Sequence, residues 1–234
     1  MLRSLKKMLG YHLGAVDGEL GKVRDFYFDD HAWAIRYVVV DTGNWLMDRL
    51  VLVSPMSLGE ADWSEKVLPV NLTRKQIEDS PPASEHEPVS REFEMELSHY
   101  FDWLAYWEPR SLPERTVEYE QRPEEPQLRS MEEVAGYHLH ATDGDLGHVA
   151  DFIVDTDFWV IRYLVVDTGH WLPGRKVLIA PDWITRIEWP QDRVDVDLQR
   201  EQIRNSPEFD PDEPLNRQHE ETLYNYYERP AYWE

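Results

Sequence analysis

Two acidic turns are the places in this chain best suited to metal chemistry. Asp17-Gly18-Glu19 and Asp143-Gly144-Asp145 each set carboxylates around a glycine, as the start of an EF-hand calcium loop does. Such a loop needs further oxygen ligands at fixed spacing and a closing Glu. Here Leu20-Gly21 and Leu146-Gly147 follow at once and a β-rich run begins. Tight hairpin turns, in which Gly supplies positive φ, are the better reading. His138 and His140 are spaced to share one face of a strand and hold a metal, but the earlier equivalent of the pair is His12 with Gly14, so the pair is read as incidental. Asp25 with Arg36 and Asp151 with Arg162 are candidate ion pairs. If Asp30-His31 and Thr156-Asp157 are two-residue hairpin loops, each Asp faces its Arg across two strands. Such a pair contributes about 0.2–1 kcal/mol to a sheet, and its reading is structural.

No nucleophile, base and orienting group can be assembled. Gly18-x-x-Gly21 follows an acidic residue in a hairpin and makes a poor phosphate loop. No catalytic, cofactor-binding or metal residue is assigned; the chain is read as non-enzymatic and without a cofactor.

The elements that position these residues occur twice. Residues 1–108 align on 127–234 without a gap, at an offset of 126 (136 − 10 for the two Gly-Tyr-His-Leu runs). Ile35-Arg36-Tyr37 matches Ile161-Arg162-Tyr163, Asp41-Thr42-Gly43 matches Asp167-Thr168-Gly169, and Ala105-Tyr106-Trp107-Glu108 returns as Ala231-Tyr232-Trp233-Glu234. So long a period means a duplicated domain, not a solenoid. The expected organisation is a first repeat with a helical tail over 1–109, a Pro/Glu/Arg-rich linker over 110–130, and a second repeat over 131–234.

Within each repeat the pattern is short strands, then helical turns, then an aromatic tail. Runs 20–29 and 33–41 form the clearest strand pair. In the latter, both alternating faces are largely apolar, which suits a strand buried on both sides or closed within a barrel. Val38-Val39-Val40 favours strand over helix. Further strands are expected near 49–54 and 66–71, with Pro55 and Pro181 closing the earlier one of each repeat. Thr73 and Gln76 are placed to cap a short helix over 73–79, and 91–100 is a second helical segment.

Composition excludes several functions. The chain has 234 residues, 24 basic and 46 acidic side chains, and a formal charge of −22. That field repels nucleic-acid backbones; the one basic cluster, Arg3 with Lys6-Lys7, is too short to reverse it. There is no cysteine, which removes disulfides and thiolate chemistry and fits a cytoplasmic location. No apolar run is long enough for a transmembrane helix, and no signal peptide follows Lys7.

The turn Asp17-Gly18-Glu19-Leu20-Gly21 leading into Val23-Arg24-Asp25-Phe26, its second copy Asp143–Gly147 leading into Val149-Ala150-Asp151-Phe152, and the runs 35–41 and 161–167 resemble the PRC-barrel family over about two-thirds of each repeat. The resemblance implies a mainly β fold: two tandem small β-barrels, each followed by short helices and an aromatic tail, forming an internal pseudo-dimer. It also implies a role in protein–protein interaction or scaffolding. That family includes the cytoplasmic domain of the photosynthetic reaction-centre H subunit and the C-terminal domain of a ribosome-maturation factor. An alternative is therefore a peripheral regulator of a membrane electron-transfer complex, with peripheral membrane contact; another is a small-molecule binder between the barrels. The chain lacks the H subunit's transmembrane helix and carries the wrong charge for an RNA-rich partner. Tyr106, Trp107, Tyr232 and Trp233 are the interaction candidates, since Tyr and Trp dominate interface hot spots. The preferred reading of these tails is that each folds back and closes its own barrel, because so many scattered exposed tryptophans would aggregate.

Overall fold

The computed structural model describes residues 1–47, 49–82, 89–107, 128–169 and 174–233. The protein is mainly β, with two mixed sheets of six and seven strands and short helices. In chain order the elements are β1 (Leu2–Ser4), α1 (Leu5–Met8), β2 (His12–Ala15), β3 (Gly18–Asp29), β4 (Ile35–Asp41), β5 (Leu50–Val53), β6 (Val67–Pro69), α2 (Arg74–Glu78) and α3 (Arg91–Phe101). The second repeat supplies β7 (Leu128–Ser130), α4 (Met131–Val134), β8 (His138–Ala141), β9 (Gly144–Asp155), β10 (Val160–Asp167), β11 (Lys176–Ile179), β12 (Ile184–Glu188), β13 (Arg193–Val196), α5 (Arg200–Asn205) and α6 (Arg217–Tyr227).

The two sheets have the same strand order, β5-β4-β3-β2-β6 and β11-β10-β9-β8-β13, the latter extended by β12. Where the first repeat has no counterpart strand to β12, the bridges Leu58↔Val70 and Asp62↔Val67 hold the same stretch. β2 and β6 run parallel, as do β8 and β13; the remaining ladders of known register are antiparallel. The apolar runs on both faces of β4 and β10 have the expected consequence: Tyr37 to Val40 and Tyr163 to Val166 are all buried. At Gly21, near the start of β3, a Cβ would lie 2.1 Å from the Asp41 carbonyl oxygen; at Gly147, near the start of β9, it would lie 1.9 Å from that of Asp167. Only glycine lets these backbones approach so closely.

Two compact units divide the chain, and each takes a short segment from the neighbouring repeat. One comprises Met1–Lys7, Ala32–Ala34 and Ser130–Glu234; the other comprises Met8–His31 and Ile35–Arg129. In the former, β1 lies antiparallel on β9, with Leu2 opposite Asp155 and Ser4 opposite Ile153. Ser4 Oγ donates to Asp151 (2.5 Å), and the Lys6 backbone N–H donates to the same carboxylate (3.0 Å). In the latter unit, β7, the sequence counterpart of β1 (2 + 126 = 128), pairs with β3. The linker expected over 110–130 lies outside the described residues as far as 127; Leu128–Ser130 is a strand.

The hairpin register differs from expectation. No two-residue loop forms at Asp30-His31; β3 ends at Asp29 and β4 begins at Ile35. Trp33 takes a left-handed φ of 54° in this connection, and Trp159 takes the same value in the second repeat. Asp25 consequently faces Val39 and Asp151 faces Val165, so neither faces its expected arginine. Other local expectations hold. Thr73 and Gln76 form the capping box of α2. Among the described residues, no helix is long and apolar enough to cross a membrane.

Candidate functional site

Each hairpin contains a β-bulge at its arginine. Ile35 pairs with Phe28 and Tyr37 with Tyr27, which leaves Arg36 as the extra residue. Ile161 pairs with Val154 and Tyr163 with Ile153, which leaves Arg162 in the same position. A bulge re-aims the side chain it releases from the ladder. Arg36 turns to Asp29, donating from Nε (2.8 Å) and from a terminal nitrogen (2.5 Å) to one carboxylate oxygen. Arg162 lies 3.7 Å from Asp155. The expected pairs Asp25–Arg36 and Asp151–Arg162 are therefore replaced by Asp29–Arg36 and Asp155–Arg162. Asp151 instead serves β1 and the first turn of α1, and burial raises its carboxyl above the ordinary value.

The bulged arginines also cover the tails. The Arg36 guanidinium lies 3.9 Å from the ring centre of Tyr106, and that of Arg162 lies 4.2 Å from Tyr232. Beneath those rings sits a carboxylate that the sequence reading passed over. Glu94 on α3 and Glu220 on α6 are each only 2% exposed. Tyr106 donates to Glu94 Oε1 (2.7 Å), while Arg91 donates to Oε2 (2.8 Å). In the second repeat Tyr232 (2.8 Å) and Tyr163 (2.7 Å) both donate to Glu220 Oε1, and Arg217 lies 3.3 Å from Oε2. Tyr37 is the counterpart of Tyr163 and stands against Glu94. The helical arginines also stack on the terminal tryptophans, Arg91 at 4.3 Å from Trp107 and Arg217 at 3.9 Å from Trp233.

All four interaction candidates are thus half-buried parts of one duplicated clamp. Its logic is electrostatic. A buried carboxylate is expensive unless it accepts hydrogen bonds and faces a cation, and here Tyr hydroxyls and an Arg three residues earlier on the helix supply both. Burial raises the Glu94 carboxyl, with Tyr106 and Arg91 working against that rise. Burial and the neighbouring glutamate push the hydroxyls of Tyr37, Tyr106, Tyr163 and Tyr232 well above the phenol range, and Tyr224 to about 12. These phenols therefore stay protonated and act as donors. The geometry holds a tail against a sheet.

The acidic turns have a structural task too. Asp17 accepts the N–H of Arg74 at the first turn of α2, and Asp143 accepts that of Arg200 at the first turn of α5, both at 2.8 Å. Asp145 bonds His140 and Glu19 bonds His12, each at 2.6 Å, and His138 lies opposite His148. Among the described residues, no three His, Asp or Glu side chains gather into a metal-sized group.

A compensating exchange separates the repeats beside the clamp. Trp183 is buried against Tyr224 (5.4 Å between ring centres) and Tyr227 (4.6 Å). Its counterpart is Ser57. There, Trp103 from the tail stacks on Phe101 at 4.3 Å and donates its indole N–H to Ser57 Oγ at 2.8 Å. The counterpart of Trp103 is Arg229, which turns to Asp197. Each repeat thus packs one indole on the same aromatic position, Phe101 or its counterpart Tyr227, from the tail in the first repeat and from the turn after β11 in the second.

No protein-family model matches the chain, and no curated protein is similar to it in sequence.

Proposed function

We propose that this is a tandem PRC-barrel-like protein that works by binding other proteins, with no chemistry of its own. The observation that carries the proposal is a contrast between interior and surface. The clamp around the buried glutamates is kept residue for residue in both repeats: Arg36, Tyr37, Arg91, Glu94, Tyr106 and Trp107 against Arg162, Tyr163, Arg217, Glu220, Tyr232 and Trp233. Each buried glutamate is occupied by donors of the clamp itself, Glu94 by Tyr106 and Arg91 and Glu220 by Tyr232 and Tyr163. The outer faces have diverged, as duplicated binding modules do when each copy acquires its own surface. The common strand order, with the long strands β3 and β9 at the centre, agrees with a small barrel in each repeat. The acidic charge favours a protein partner over nucleic acid, and a cysteine-free composition suits the cytoplasm.

Affinity purification of the tagged chain from its own cells after mild cross-linking tests the proposal. A protein recovered in near-stoichiometric amount, with or without nuclease treatment, is the expected result. Salt-sensitive retention of RNA or DNA, or a tightly bound small molecule in native mass spectrometry, would overturn it. Recovery of a membrane electron-transfer complex would place the chain in an H-subunit-like role.

A further inference from the structure

Three histidines lie on the outer face of the second repeat's sheet, and the strand register brings two of them side by side. Along β8, His138 is exposed and His140 half-buried, while Leu139 between them is fully buried. Across the ladder His138 lies opposite His148 on β9, which is half-buried beside the buried Val149. Residues directly opposite in a sheet project to the same face. The His138 N–H donates to the Asp192 carbonyl (2.7 Å), on the β13 side. Both main-chain groups of a strand residue point to one side, so no ladder hydrogen bond joins His138 to His148. A pair of this kind is the closer one, with Cα atoms about 4.5 Å apart. Among the described residues neither imidazole takes part in a hydrogen bond; His140 differs, being bonded to Asp145. The surrounding charges suit a cation. Arg193 lies opposite His138 on β13, but Glu188 (3.2 Å) and Asp195 (3.0 Å) meet its charge. Asp167 lies opposite His148 on the other side. The Asp145 carboxyl is held below its ordinary value by the hydrogen bond from His140 and by the charges of His138 and Arg193.

We infer that His138 and His148 form a two-imidazole site for a divalent cation of the zinc, copper and nickel class. Imidazole nitrogen suits these ions, whereas magnesium and calcium require oxygen ligands. With metal–nitrogen bonds of about 2.0–2.1 Å, two donors on one ion stand about 3 Å apart. Opposed Cβ atoms are about 4.5–5.5 Å apart, and the broad χ2 well of histidine lets the two rings lean together over that difference. No third side chain joins them among the described residues, so the other coordination positions belong to water or to a donor from a bound protein. The site exists once. In the first repeat Lys22 stands opposite His12, and Gly14 takes the place of His140. A lysine ammonium has no lone pair to give.

Metal binding here does not depend on the protein-binding role proposed above, and either can fail alone. The untagged full chain is titrated with zinc, copper(II) and magnesium chlorides in a calorimeter at neutral pH. The expected result is one zinc ion per chain, tighter binding of copper, as nitrogen sites show, and none of magnesium. His138→Gln and His148→Gln should each weaken zinc binding at least about tenfold, since even an outer partner of a metal ligand costs that much when lost. Their melting temperatures without metal should match that of the unmodified chain. Should His148→Gln fail to fold, His148→Lys repeats the test with the residue the first repeat carries at that position. His12→Gln should leave zinc binding unchanged. Equal zinc affinity in the His138 and His148 variants would overturn the inference, and so would an equal loss in His12→Gln, because the donors would then lie elsewhere. Magnesium binding as tight as zinc binding would also overturn it, by showing only the general attraction of a chain of charge −22 for cations.

Discussion

Replacing Tyr232 by Phe removes one oxygen atom from the clamp and leaves its ring stacked under Arg162. The structure fixes the size of the effect. That hydroxyl donates at 2.8 Å to a carboxylate that is 2% exposed, and among the described residues Glu220 is then left with Tyr163 and Arg217. A hydrogen bond to a buried charged group contributes about 1.5–3 kcal/mol, and the loss leaves an acceptor short of a donor. For a cooperative unit of this size each kcal/mol moves the melting temperature by about 2–4 °C, which gives a fall of about 3–12 °C. Thermal and urea unfolding of the full chain, followed by tryptophan fluorescence and circular dichroism, would read it directly. Tyr106→Phe should produce a similar loss through Glu94. If both variants melt with the unmodified chain, the tails do not hold the sheets, and the reading of Tyr106 and Tyr232 as closures is wrong; they would return to being partner anchors.

Gly147→Ala should be far more damaging than Gly136→Ala. The added Cβ meets the Asp167 carbonyl at 1.9 Å in the former and finds nothing within 4 Å in the latter. About 4 kcal/mol or more is expected against about 1–2 kcal/mol, measured as urea midpoints; similar costs would refute the close strand approach. Ser57→Trp and Trp103→Arg should each destabilise, the former by overpacking at about 1–3 kcal/mol, while the double variant recovers stability with a coupling of about 0.5–3 kcal/mol. Additive losses in that cycle would mean that the two indoles occupy different places. Burial raises the Glu94 carboxyl above its ordinary 4.5, so its contribution favours folding below the unfolded value and is lost as pH rises through the folded one. Glu94→Gln lacks that titration; its stability relative to the unmodified chain should therefore increase as pH rises past 4.5, and a relative decrease over the same range would show the carboxylate to be net favourable.

The duplication, the β character and the caps of α2 were legible because they depend on local patterns: an offset of 126, alternating apolar residues, Thr73 three places before Gln76. The register of the central hairpin was not. It depends on a bulge at Arg36 and on Trp33 in a left-handed conformation, which an L-residue other than Gly adopts at a cost that only tertiary packing offsets. The same bulge determines which aspartate the arginine meets, so the ion pairs expected at Asp25 and Asp151 moved to Asp29 and Asp155. The buried glutamates left a signal that went unread. Between α3 and α6 the exposed Glu92, Met95, Glu96 and His99 become Gln218, Glu221, Thr222 and Asn225, yet Arg91, Glu94, Leu97 and Tyr100 recur as Arg217, Glu220, Leu223 and Tyr226. A glutamate retained on the apolar side of a helix whose outer face has changed points to a buried acceptor.

The exchange of β1 and β7 between the repeats has a consequence for how the chain is made. The Met1 amine bonds Asp155, 154 positions away, so β1 leaves the ribosome long before the strand it needs. At about 5–20 residues per second, that interval is roughly 8–30 s, while a stretch of about ten residues closes in well under a microsecond. In the meantime Leu2–Ser4 must remain unpaired, whereas β3 is complete before its own short strand, β7, arrives. The repeats thus mature in an enforced sequence in spite of their likeness. Neither 1–108 nor 127–234 encodes a whole sheet, so a chain cleaved between them yields two fragments, each holding a strand that belongs to the other's sheet.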